Sequence, residues 1–258
     1  MRRIHPRTGG AAIDCGRGTA LKNLRIGSKT VGKQPLIVGV VTSLAAMSRV
    51  LRRKIRPFDI IEVRLDLMKT GADKLAPFLR RMETAGTPVL LTIRSRREKG
   101  AWRGSEQERS DLYAALMPFV SAVDVEIRSP LFKALCKSAH RAGRVVIGSF
   151  HDFEGTPSLK VLKSMARLAR AGGADIVKIA TAVKKGEDAD ILFELLKDGG
   201  PLPLCVLGMS KKATDLRVRL ACGGSCLTYG FVDRSAAPGQ MACRHLARRL
   251  QACGVRHA

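Results

Sequence analysis

Residues 145–181 have the sequence VVIGSFHDFEGTPSLKVLKSMARLARAGGADIVKIAT, and this stretch indicates the fold. Two short apolar segments, Val145–His151 and Asp175–Thr181, flank a longer one in which apolar residues recur at helical spacing from Leu159 to Ala169. Short, almost continuously apolar segments are typical of strands in a parallel sheet that is covered on both faces. The stretch therefore predicts a strand–helix–strand unit with a right-handed crossover.

The same alternation of short and long apolar segments continues on both sides of this unit. Eight strands in about 220 residues favour a (β/α)8 TIM barrel over a doubly wound sheet. No G-x-G-x-x-G motif follows the first strand, which disfavours a dinucleotide-binding fold. No linker divides the region, so we predict a single catalytic domain over residues 35–258. The candidate strands are Leu36–Thr42, Asp59–Leu67, Pro88–Arg94, Ala122–Ile127, Val145–His151, Asp175–Thr181, Leu202–Met209 and Cys226–Phe231.

Positive charge dominates the composition, with a formal net charge of +24 over 258 residues. Residues 1–34 are polar, basic and without periodicity, and are predicted to form a flexible extension, although an acid-poor, Arg-rich leader also resembles a transit peptide. A strong positive field attracts small acids or nucleic acid. Only two Tyr and one Trp are available for base stacking, so nucleic acid is not the expected partner. No apolar run is long enough to predict a membrane span.

The seven cysteines do not form a recognisable framework. Their number is odd and none form a C-x-x-C pair, which is typical of free thiols in a reducing cytoplasm. Cys222, Cys226, Cys243 and His245 have a spacing that fits no familiar zinc template, so no metal is predicted.

Polar residues gather at the carboxyl ends of the predicted strands, where TIM-barrel enzymes build their active sites. In the second strand a spacing of two predicts that Glu62, Arg64 and Asp66 all point into the barrel. A single strand charge can be a structural ion pair, which is the expected reading for Asp66 and Asp124. Six successive strands with such residues at one end indicate a site, and the other candidates are Arg94, Glu98, Glu126, His151, Lys178 and Met209.

Lys178 is the most informative of these residues, because its strand neighbours are all apolar. Burial disfavours the ammonium form, and a neutral lysine amine can attack a ketone to form an imine. His151, on the neighbouring strand, is a candidate base for the adjacent carbon. These residues alone leave two reaction classes open, a class I aldolase and a dehydratase.

Five motifs in order resemble the type I 3-dehydroquinate dehydratase family, and the similarity runs from about residue 36 to 250. Each motif alone is weak, but their order and spacing together are specific. They are IEVRLD at 61–66, LTIRS at 91–95, SFHDF at 149–153, ADIVKIA at 174–180 and APGQ at 237–240.

The resemblance implies conversion of 3-dehydroquinate to 3-dehydroshikimate and water, without cofactor or metal, by a cytoplasmic enzyme of a family that commonly forms homodimers. It assigns the imine to Lys178, proton transfer to His151 and orientation of the histidine to Glu98. It also implies substrate contacts for Glu62, Arg64, Arg94, Met209, Arg217 and Gln240.

Two departures from the family pattern bear on the substrate contacts. Many relatives have a serine four residues before the lid glutamine, where this chain has Ala236, so Ser235 could substitute only if the loop shifts. Arg219 lies close to Arg217, and Arg217 is preferred as the carboxylate clamp by its spacing to Met209. From a different class, a basic protein that binds nucleic acid or another anion stays an alternative.

Overall fold

A computed structural model describes residues 24–53, 55–200, 202–210 and 215–255. Eight parallel strands form one sheet, in which each strand pairs with the next along the chain from the first to the seventh, and the eighth pairs with the first. This confirms the predicted barrel. The barrel strands are β3 (Leu36–Val41), β4 (Ile60–Arg64), β5 (Val89–Thr92), β6 (Ala122–Glu126), β7 (Val145–Asp152), β8 (Ile176–Ala182), β9 (Leu204–Met209) and β10 (Leu227–Phe231).

Helices connect successive strands and cover the outside of the barrel. Residues that point outward from the strands, such as Val63 and Val123, pack with helix residues such as Leu79 in the main hydrophobic core. This continuous burial on both faces explains why the strands are apolar throughout. The helices are α1 (Leu44–Leu51), α2 (Ala72–Thr84), α3 (Glu106–Leu116), α4 (Phe132–Arg141), α5 (Leu159–Gly172), α6 (Gly186–Asp198), α7 (Asp215–Cys222) and α8 (Cys243–Ala252). Within the described residues, none of them is long and apolar enough to cross a membrane.

A short hairpin, β1 (Arg25–Ile26) and β2 (Lys29–Thr30), precedes the barrel. Ile26 and Val31 are buried and pack with the inward residues at the amino-terminal ends of the strands, among them Leu36 and Ile60. The prediction of a flexible extension is therefore wrong for residues 24–34, because two-residue strands are too short to give a periodic signal. The prediction for residues 1–23 lies outside the described residues.

The barrel closes between β9 and β10 through a small number of bonds. The backbone N–H of Cys226 donates to the carbonyl of Leu204 at 2.8 Å. The Ser225 hydroxyl accepts from the backbone N–H of Val206 at 2.9 Å. A side chain therefore joins the backbone in holding these two strands together.

Candidate active site

A small pocket, with a cavity volume of about 90 Å³, opens at the carboxyl ends of the strands. Every residue to which the family resemblance assigned catalysis or a substrate contact lines it, whereas Ser235 and the strand-end carboxylates Asp66, Asp124 and Glu126 do not. The lining residues are Val40, Glu62, Arg64, Arg94, Glu98, Lys99, His151, Phe153, Lys178, Ala180, Leu207, Met209, Arg217, Tyr229, Ala236, Ala237 and Gln240.

Lys178 lies at the floor of this pocket, in the middle of β8, and is only 4% exposed. Its Nζ is 2.9 Å from Oδ2 of Asp124 and 3.8 Å from Oε1 of Glu62. The same Nζ lies 4.1 Å from the ring centroid of Tyr229. The carboxylates and the ring together direct the amine into the pocket.

Asp124 connects the amine to a second cation. Its Oδ1 is 2.6 Å from Nη2 of Arg94 and accepts from the Ser149 hydroxyl at 2.6 Å. Burial alone would raise the pKa of Asp124, but the charges of Arg94 and Lys178 outweigh it and hold the pKa well below its usual range. Asp124 is thus an ionised partner in a buried ion-pair network, as expected from the sequence, and this network includes Lys178.

His151 and Glu98 form a hydrogen-bonded pair beside Lys178, with 2.8 Å between Nδ1 and Oε2. Burial, together with the cations Arg94 and Lys178, lowers the pKa of His151 well below its usual value. The imidazole is therefore neutral near pH 7. An imidazole that donates its Nδ1–H to Glu98 has Nε2 free to accept a proton.

Arg217, on α7, faces the pocket and is 3% exposed. Among the described residues, its Nε has no hydrogen-bond partner. Burial lowers the pKa of Arg217 to about 10, so the guanidinium is still charged at neutral pH. Arg219, by contrast, is exposed and lies over the Phe193 ring, 5.1 Å from its centroid. Of the two arginines, only Arg217 is placed to bind an anion in the pocket.

The model of the type I 3-dehydroquinase family matches residues 28–256 of this sequence. The chain belongs to the type I 3-dehydroquinase family. The 3-dehydroquinate dehydratase of Methanothrix thermoacetophila is 36% identical over 198 residues, which cover 77% of this chain and 83% of that protein. The enzyme of the same name from Methanococcoides burtonii is 30% identical and is covered over 98% of its length, against 88% of this chain.

Solved structures support the same fold. The crystal structure of 3-dehydroquinate dehydratase from Geobacillus kaustophilus superposes with a TM-score of 0.82 at 24% identity, covering 90% of this chain and 96% of that one. Membership of the type I 3-dehydroquinase family decides between the dehydratase and the aldolase, which the residues alone left open.

Behind the His151–Glu98 pair, the buried carboxylate of Glu126 holds the β5–α3 loop of this 3-dehydroquinase. Glu126 accepts from the backbone N–H of Ser95 at 2.7 Å and from Nη1 of Arg109 at 2.9 Å. Arg109, on α3, is 1% exposed. These contacts fix the loop that carries Glu98. Sequence reasoning missed Arg109, because a charged residue on a helix is ordinarily a surface residue.

Asp66 does not share the inward direction of Glu62 and Arg64, so this part of the prediction is wrong. Strand β4 ends at Arg64, and the chain turns into a 3₁₀ helix over Leu65–Leu67. Asp66 instead pairs with Arg64 through two bonds of 2.9 and 2.8 Å and accepts from the backbone N–H of Ala101. It holds Arg64 in place from outside the pocket.

The loop after β10 brings Gln240 to the pocket mouth and leaves Ser235 outside. Gln240 Oε1 accepts from the backbone N–H of Ala236 at 2.8 Å, which folds the loop on itself. The Ser235 hydroxyl is exposed and donates to the carbonyl of Ala237 at 2.9 Å. In this arrangement Ser235 does not replace the serine that is missing at position 236.

Lys99 and Phe153 also line the pocket, although the sequence did not single them out. Lys99 is the one non-glycine among the described residues with a positive φ, at 53°. Its Nζ lies 5.1 Å from the Phe153 ring centroid and 2.9 Å from a carboxylate oxygen of Glu154. These contacts join the β5–α3 loop to the loop after β7 at the rim of the pocket.

Glu98 gives the fold a pH dependence that can be measured. Burial raises the pKa of Glu98 to about 7, from an ordinary value of 4.5. The folded state therefore holds a proton that the unfolded state releases, and this contribution to stability is lost as pH rises through about 7. We expect the free energy of unfolding to fall less between pH 5 and 8 in Glu98→Gln than in the wild type. Urea unfolding of both proteins across this range measures the difference, and parallel curves would contradict the assignment.

Proposed function

We propose that this chain dehydrates 3-dehydroquinate to 3-dehydroshikimate through an imine on Lys178. The observation that carries the proposal is the buried amine of Lys178 in one pocket with the neutral His151 and its partner Glu98. The relatives named above are 3-dehydroquinate dehydratases, which supports the same substrate.

The chemistry follows from these groups. The Lys178 ammonium first releases a proton to water, and the neutral amine attacks the ketone carbon of the substrate. The hydroxyl of the adduct takes up a proton and leaves as water, which gives an iminium that withdraws electrons from the adjacent carbon. His151 takes a proton from that carbon, and an enamine forms. The protonated His151 then returns its proton to the departing hydroxyl, which leaves as water. A second water hydrolyses the imine, releasing the product and restoring Lys178.

The remaining pocket residues contact different parts of the substrate. The guanidinium of Arg217 suits the substrate carboxylate, which it can bind through two parallel hydrogen bonds. Glu62, Arg64 and Arg94 present fixed polar groups toward the ring hydroxyls. Met209 offers an apolar surface to the ring, and Gln240 covers the mouth from its loop.

Borohydride trapping tests the proposal directly. The protein is mixed with 3-dehydroquinate and borohydride, which reduces an imine to a stable amine. We expect the intact mass to rise by one reduced adduct, and peptide mapping to place it on Lys178. A folded protein that forms no adduct, or an adduct on another lysine, would contradict the mechanism.

Arg217→Ala is expected to raise KM by about 10- to 100-fold, because a buried charge-assisted contact to the substrate carboxylate is lost. Arg219→Ala serves as the matched control, since this arginine has the same charge on the same helix but lies outside the pocket. Steady-state kinetics of both variants measure the effect. Equal KM values for the wild type and Arg217→Ala would remove the carboxylate role from Arg217.

The cytoplasmic location and the homodimer stay predictions. Among the described residues, Cys136, Cys205, Cys222, Cys243 and Cys253 form no disulfide, which fits a reducing compartment. Analytical ultracentrifugation measures the oligomeric state directly.

A further inference from the structure

Three residues of the active-site pocket have a buried polar atom without a partner among the described residues. Among the described residues, Glu98 Oε1, Arg217 Nε and the Tyr229 hydroxyl are such atoms, and all three residues line the pocket. A buried hydroxyl that makes no hydrogen bond destabilises the fold, and such a group in a native structure calls for an explanation. Glu98 and Arg217 already have roles in the proposed reaction, whereas Tyr229 has none.

The position of Tyr229 limits which partner its hydroxyl can find. The residue lies on β10, points into the barrel and is 4% exposed. The face of its ring contacts the Lys178 amine, 4.1 Å from the centroid. The hydroxyl is at the edge of that ring, and both residues line the same pocket. Burial raises the pKa of Tyr229 well above its usual value, so the phenol keeps its proton and can donate it in a hydrogen bond.

We propose that Tyr229 is a substrate-binding residue, whose hydroxyl donates a hydrogen bond to an oxygen substituent of the ring next to the carbon that Lys178 attacks. The inference rests on the proposed function and adds a contact to the same site. The proposal explains why a tyrosine hydroxyl is buried here without a hydrogen bond, because the substrate would supply the acceptor. Tyrosine selects a hydroxylated ring at this position, because a substrate without that oxygen leaves the phenol unpaired.

Thr228 provides a matched control on the same strand. Its hydroxyl is also buried and has no partner among the described residues. As the residue that directly precedes Tyr229 on β10, it points to the opposite face, away from the pocket. Thr228→Val therefore removes the same kind of group without touching the site.

The test compares Tyr229→Phe with Thr228→Val in steady-state kinetics on 3-dehydroquinate and in thermal unfolding without ligand. We expect Tyr229→Phe to lower kcat/KM by about tenfold, the effect of one lost hydrogen bond, while its Tm stays equal or rises. Thr228→Val should keep the kcat/KM of the wild type. Loss of activity with an equal or higher Tm is a combination that a merely structural hydroxyl does not produce.

Three outcomes would overturn the proposal. These are a kcat/KM for Tyr229→Phe within about twofold of the wild type, an equal loss in both variants, and a lower Tm or failure to fold in Tyr229→Phe. Wild-type turnover, measured beside the variants, separates this inference from the function itself. An inactive wild type would overturn both, whereas an active one leaves only the role of Tyr229 to be decided.

Discussion

Lys178→Ala is expected to lower kcat by about 10⁴-fold or more, because the variant has no amine with which to form the imine. It should also lose the borohydride adduct entirely. The fold is expected to persist, since Asp124 keeps its contacts with Arg94 at 2.6 Å and with Ser149 at 2.6 Å when the lysine is removed.

The measurement combines turnover, intact mass after borohydride treatment and the circular dichroism of the variant. Lys197→Ala is a suitable control, because Lys197 is an exposed lysine on α6, remote from the pocket. It should keep both turnover and adduct. Near-normal turnover in a folded Lys178→Ala protein would refute the imine mechanism.

His151→Ala is expected to lower kcat by about 10²- to 10⁴-fold, the usual contribution of a positioned acid–base group. The imine should still form, because Lys178 is intact, but the proton on the adjacent carbon has no base to accept it. The adduct trapped by borohydride should therefore have the mass of the reduced substrate, not of the reduced product. Its amount should rise while the rate of product formation falls.

His140→Ala is the control for this variant. His140 lies on α4 and contacts Asp175 at 3.0 Å, far from the pocket lining. Its replacement should change neither turnover nor adduct. If His151→Ala releases product at the wild-type rate, another group removes the proton.

His151 and Lys178 were predictable because they lie on regular strands. In a strand the side-chain direction alternates with a period of two, and all parallel strands end at the same rim, so sequence position alone brings such residues together. The same rule failed for Asp66, where the strand ends two residues earlier and the chain turns. The two-residue alternation of side chains holds only within the strand, and nothing in the local sequence marks Arg64 as the end of β4.

The contacts that depend on tertiary packing were not predictable. The hairpin at residues 25–30 gave too few residues for a pattern, and Arg109 resembled any surface arginine until Glu126 was placed against it. Tyr229 stands in an apolar strand as an ordinary core aromatic. Only the three-dimensional structure shows that its hydroxyl lacks a partner among the described residues.

The hairpin at the amino-terminal end of the barrel affects the path by which substrate and product reach and leave the pocket. Ile26 and Val31 fill the end of the barrel opposite the pocket, so the barrel interior is closed at that end. Substrate and product of the proposed reaction are therefore expected to enter and leave at the carboxyl ends of the strands, past the loop that carries Gln240.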